Sequence, residues 1–198
     1  MSILLPGVVF VAVLSAAQPS AKSLADQAVA ARGGPDKLLK LFRIKERYTA
    51  GKTPKTPGTP RESVLDLPDY WWIGKNERGT EPGKVAAWAW TLVILTDPKS
   101  KLEVLPPKVD QGKTLDGIRV SGSVSPPLDM YFGNQDHELS RIDWRNDIYR
   151  FREWKETGEI KYPAFCVMSR RNNDEPWFHH EILEVVPLKE LPKGLDRK

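Results

Sequence analysis

Leu128-Asp129-Met130-Tyr131-Phe132-Gly133-Asn134, followed after a polar turn by Leu139-Ser140-Arg141-Ile142-Asp143-Trp144, is a pair of short runs rich in aromatic and aliphatic residues around a Gly-Asn break. Two such runs on either side of turn residues read as antiparallel strands. The same pattern extends in both directions. Leu115–Val120 lies before it, and Ile148–Trp154, Lys161–Ser169 and Trp177–Val186 follow. Asp116-Gly117, Thr157-Gly158 and Asn172-Asn173 supply the turn chemistry that bounds them. Residues 115–188 therefore predict a β-meander, with neighbours in sequence also neighbours in space.

Upstream, Met1 to Ala17 carries the apolar run Val8-Val9-Phe10-Val11-Ala12-Val13-Leu14 and ends on Ser15-Ala16-Ala17. Small residues after such a run are what signal peptidase cleaves, so residues 1–17 read as a signal peptide and 18–198 as one exported domain, periplasmic or secreted. The run is too short for a membrane anchor, which needs about 20 apolar residues. Ser23 is the expected N-cap of a helix over Ser23–Arg32, ended by Gly33-Gly34. Pro35 then opens a second helical segment whose buried stripe is Leu38, Leu39, Leu41 and Phe42. Strands follow at Ile44–Thr49, Glu62–Leu67, Tyr70–Gly74 and Lys101–Leu105, the last broken by Pro106-Pro107. Loops are expected at 51–60 and 76–84. Val85–Thr96 is apolar on both faces as a strand and long enough for a helix, and periodicity does not decide between them.

The composition, 198 residues with 40% hydrophobic, 28% charged and seven Trp, suits a folded domain with a core of its own. The formal charge of +4 is spread among acidic residues along every segment. A mixed solvated surface accounts for it, and no nucleic-acid partner is expected. Cys166 is the single cysteine, so no intramolecular disulfide can form; inside a strand it reads as a small core residue.

The order of segments carries a resemblance. Leu115-Asp116-Gly117-Ile118-Arg119-Val120 leads to the Tyr131-Phe132 pair and the acidic turn at Asp136. Gly158-Glu159-Ile160-Lys161-Tyr162-Pro163 comes next, and a last strand closes on Val185-Val186-Pro187, while Ala30-Ala31-Arg32-Gly33-Gly34 stands before the leucine-rich segment. This layout resembles the exported proteins related to the outer-membrane lipoprotein carriers LolA and LolB. The resemblance implies an α+β, mainly β fold: a strongly curved antiparallel sheet, an incomplete barrel, with the N-terminal helix packed across its open side. It also implies a cavity that in the carriers accepts acyl chains, hence a hydrophobic ligand or a lipoprotein acyl chain as partner. No arginine here matches the carriers' cavity-facing arginine, and no functional residue carries over.

Chemistry-bearing clusters are sparse. His179 and His180 are adjacent on a strand and must point to opposite faces, leaving only His179 and Glu181 on one side. Asp136, His137 and Glu138 fit a solvated turn. No nucleophile elbow, zinc-binding helix or dinucleotide loop occurs, and neither metal nor cofactor is expected. Arg141, Arg145, Arg150 and Arg152 alternate with Trp144, Tyr149, Phe151 and Trp154, which as an exposed row would suit a glycan or protein partner and as packing would simply cover the sheet. A cleft joining His180 or His137 to a carboxylate would instead favour a hydrolase. The favoured expectation is a non-enzymatic carrier or sensor. Its ligand pocket is expected between the N-terminal helix and the concave sheet face, lined from Leu38, Leu41, Phe42, Trp72, Trp88 or Trp90, Met130 and Phe132.

Overall fold

The computed structural model describes residues 19–53, 58–79 and 82–197. The expected signal peptide and part of the 51–60 loop lie outside the described residues. The meander is the spine of a single antiparallel sheet: β5 (Lys101–Asp110), β6 (Lys113–Ser121), β7 (Leu128–Gly133), β8 (Leu139–Trp144), β9 (Asp147–Thr157), β10 (Ile160–Arg170) and β11 (Pro176–Pro187), each paired with the next. The chain before it extends the same sheet from the other side. β1 (Leu41–Ala50) pairs with β11, then come β2 (Arg61–Asp66), β3 (Tyr70–Ile73) and β4 (Asn76–Glu77). With β4 at one edge and β5 at the other, the sheet is curved but does not close.

Four local expectations are corrected. Helix α1 runs Ala21–Ala30, and its cap is Ser20, whose hydroxyl accepts the Ser23 amide at 3.1 Å. After Gly34, Pro35–Lys37 makes only one 3-10 turn, and the second helix is absent. Leu41 and Phe42 instead start β1, where Phe42 has strand partners on both sides, Leu65 and Pro187, so its backbone is satisfied by two ladders that a helix would forgo. Pro106-Pro107 does not end β5: on an edge strand the missing N–H groups need no partner, and a register shift between Leu105 and Lys108 absorbs them. Asp116-Gly117 is not a turn but the middle of β6, where Gly117 lets the Tyr131 ring cross the backbone. A Cβ there would sit 2.9 Å from Tyr131 Cε1 and 2.8 Å from Leu105 Cβ.

The ambiguous segment is helical, α2 (Pro82–Trp90) and α3 (Val93–Thr96), broken at Leu92 with φ 62°. A helix apolar all round satisfies its own backbone and belongs inside a protein. Trp88, Ala89, Trp90, Leu92, Val93 and Ile94 are buried accordingly, and α1 adds Leu24, Ala25, Ala28 and Val29 to the same core while packing on β5 and β6.

Residues of alternate parity face outwards, and there the arginines of β8 and β9 find partners from the β5–β6 hairpin, which folds back over them. Asp110 accepts from Arg141 at 2.7 Å and from Arg150 at 2.9 Å, Lys108 reaches Asp143 at 2.7 Å, and Asp174 bonds the far side of Arg150. The alternating aromatics Trp144, Tyr149 and Phe151 point into the core. Of the Arg/aromatic pattern, Arg141 and Arg150 form a buried polar layer over the aromatics, while Arg152 is exposed beside Gln111 and Arg145 lies exposed over the Trp144 ring. Val109 is the one large apolar side chain exposed among the described residues, so no exposed tryptophan row is found there.

Candidate ligand-binding cavity

On the concave side the alternation of β1 puts Ile44, Glu46 and Tyr48 inwards, and that of β11 does the same for Phe178, His180 and Ile182. Tyr149 and Phe151 of β9 and Cys166 and Met168 of β10 continue the surface. Opposite stands α2 with Ala86, Ala87 and Trp90, and not the N-terminal helix expected there: α1 packs on β5 and β6 and contributes no residue to this wall. Between helix and sheet lies a cavity of about 410 Å³, with Trp71 and Trp177 also in its wall. Its wall is mostly apolar, and its size falls in the range of small-molecule sites, about 300–1,000 Å³. The Trp71 indole N–H is buried without an acceptor among the described residues.

One corner of the cavity is polar. The fully buried Glu46 carboxylate accepts from Ser63 Oγ at 2.7 Å and from Arg61 Nε at 3.0 Å, and its other oxygen is 2.9 Å from His180 Nε2. Arg61 also donates to the Tyr48 hydroxyl at 2.6 Å, and the His180 ring stacks on Tyr48 with centroids 4.7 Å apart. Burial alone would raise the Glu46 pKa, but the bonds and charges of His180, Ser63 and Arg61 outweigh it and hold the carboxyl below its usual range. Burial and the Glu46 charge push the Tyr48 hydroxyl up. For Arg61, burial is outweighed by Tyr48 and Glu46, which raise its pKa and fix it as a cation.

His180 is therefore joined to a carboxylate inside a cleft, the arrangement that would favour a hydrolase, but no activated nucleophile accompanies it among the described residues. Cys166 is the cross-strand partner of His180, yet the two share no hydrogen bond, and burial pushes the thiol up. The Ser63 hydroxyl donates to Glu46. His179 faces outwards, beside the Lys52 carbonyl, and His137 sits in the β7–β8 turn with φ 52°. No group of three or more metal-ligating side chains occurs among the described residues.

Of the eight residues expected at the pocket, Trp90 lines this cavity. Phe42 packs edge-on behind it with ring centroids 5.7 Å apart. Met130 and Phe132 are buried on β7 within the same core, where Leu38 packs from its edge, and Leu41 is half-buried on the opposite face of β1. Trp72 stacks on Tyr70 and borders an outer groove with Lys75. Trp88 borders a separate polar depression with Trp144 and Lys99. The cavity's walls come largely from residues not singled out in the sequence, above all the inward set of β9 to β11. Their period-two alternation was the available signal; the Glu46–Arg61–His180 corner had none, because its members are far apart in the chain.

Fold and cavity together define a class: an open antiparallel sheet, plugged by helices, around an internal apolar space. The fold is LolA-like. A LolA superfamily protein from Nitrosomonas europaea superposes with a TM-score of 0.55 at 10% identity, covering 91% of this chain and 99% of that one. A domain described as an outer membrane lipoprotein-sorting protein, from Vibrio parahaemolyticus, superposes with a TM-score of 0.53 at 7% identity, covering 88% and 94%. At these identities the likeness is one of fold. No protein-family model matches the chain, and no curated protein matches its sequence. No helix among the described residues is long and apolar enough to cross a membrane.

Proposed function

We propose that the protein is an exported, non-enzymatic carrier or sensor that holds a hydrophobic ligand, a lipid or an acyl chain, in the cavity between α2 and the concave sheet. The observation that carries this reading is the 410 Å³ space itself, whose wall is mostly apolar. The LolA-like fold supports it, as does the N-terminal apolar run ahead of residue 18, which suits export. Trp90 touches the ligand and Phe42 backs it; the remaining residues expected from the sequence shape the surrounding core. Burying an acyl chain gains about 0.8 kcal/mol per methylene. Roughly ten carbons then give about 8 kcal/mol, micromolar affinity before ordering costs.

Trp71, Trp90 and Trp177 all line the cavity and serve as reporters. A brominated fatty acid, which quenches indole fluorescence on contact, is expected to quench saturably with one site per chain. Quenching that rose linearly without saturation would count against the cavity as the site. A second reading, a hydrolase, rests on the His180–Glu46 contact. It requires turnover of an ester probe that is lost in His180→Ala, whereas the carrier reading expects the probe to be bound and left intact.

A further inference from the structure

Resting on the cavity reading above, we infer that the ligand is a single-chain amphiphile with a carboxylate head, and that Arg61 binds the head. Arg61 is the one fixed charge among the described residues lining the cavity, and the polar corner it forms with Tyr48 and His180 interrupts a wall that is otherwise mostly apolar. Its side chain is 32% exposed while that of Glu46 is 0%. The ion pair therefore turns its positive end to the ligand space and hides its negative end in the sheet.

Glu46 is not free to receive a ligand. Ser63, Arg61 and His180 already occupy its two oxygens, and it acts as a positioning residue that fixes the Nε edge of the guanidinium. Arg61 has five N–H donors. One is given to Glu46 and one to Tyr48 in the bonds present, with the guanidinium lying over the Tyr48 ring, so three N–H groups are left for a ligand that reaches this corner of the cavity. A purely apolar ligand would strip water from those donors and return nothing, at the cost of leaving charged donors unsatisfied. A cationic head would be repelled. A carboxylate accepts from the fork in charge-assisted bonds.

Size and charge narrow the choice further. The volume lies at the low end of the range for small-molecule sites and suits one chain in place of two. One arginine, with Glu46 already drawing on it, suits a monoanion, whereas a phosphate monoester near its second ionisation would carry charge with no partner.

The test compares myristate, methyl myristate and monomyristyl phosphate on the full chain by tryptophan fluorescence titration. Wild-type protein is expected to bind myristate at least about tenfold tighter than its methyl ester, the equivalent of one charge-assisted hydrogen bond. In Arg61→Met the two affinities should converge. Equal affinity of acid and ester in the wild type, or a preference for the phosphate, would overturn the inference while leaving the cavity reading standing. If none of the three bound, the cavity reading would fall and this inference with it. The wild-type comparison decides the matter even where the variant does not fold.

Discussion

Replacing Ala87 with Leu should separate an empty, ligand-ready space from ordinary core. Ala87 is buried on α2 and lines the cavity, so a longer side chain there has room ahead of it. The change adds roughly three methyl-sized groups, ~0.8 kcal/mol each when buried, or ~2.4 kcal/mol in all. In the ligand-free protein this fills a void, and cavity filling commonly adds about 0.5–2 kcal/mol of stability. In the complex the same carbons displace an equal length of acyl chain, so the affinity for myristate should fall about fiftyfold. Stability and affinity should thus move in opposite directions. Urea unfolding of the ligand-free variant and fluorescence titration of the folded one measure the two. A loss of about 1–3 kcal/mol, the usual result of overpacking a full core, would show that the space is not free. Unchanged affinity would show that the ligand lies elsewhere.

Acid should destabilise the protein steeply. Glu46 and Asp143 are held below the ordinary carboxylate range against burial, Glu46 by His180, Ser63 and Arg61 and Asp143 by Arg141 and Lys108, while Asp110 is held low chiefly by its bond to Arg150. Because each folded pKa lies below its unfolded value of about 4, the unfolded chain binds more protons in acid. The stabilisation is complete above about pH 5 and is lost as the pH falls through that range, so a urea midpoint equal at about pH 7 and pH 3 would contradict the assignment. Gly117→Ala should cost about 1–3 kcal/mol, since the added Cβ meets the Tyr131 ring and Leu105; an unchanged midpoint would mean that β6 and β7 yield freely. Cys166, buried on the cavity wall with its thiol pKa pushed up, should react slowly with methyl methanethiolsulfonate at neutral pH and more slowly with myristate bound. Fast labelling indifferent to myristate would place it outside the wall.

The meander was legible because its strands alternate and its turns announce themselves: β8 matches its expected bounds residue for residue, and β7, β9, β10 and β11 extend theirs by one to a few residues. Leu38–Phe42 was not, since apolar residues at 38, 39, 41 and 42 fit a helical stripe as well as a strand entry, and only the ladders to β2 and β11 decide for the strand. Val85–Thr96 is ambiguous in the sequence for the related reason that a segment buried on all sides shows no period. The His179–His180 divergence followed from strand geometry alone. The partner of His180 did not, because Glu46 lies 134 residues away and reads locally as one more surface charge in Lys45-Glu46-Arg47. Burial of a charge depends on which strands meet, and the β1–β11 pairing is a property of the whole sheet.

Whether the cavity holds an acyl chain is decided by native mass spectrometry of the protein purified without detergent. One apolar molecule of single-chain mass per protein, released on collisional activation and replaced by added myristate, is the predicted result. A bare protein mass that stays unchanged across a myristate titration would contradict it.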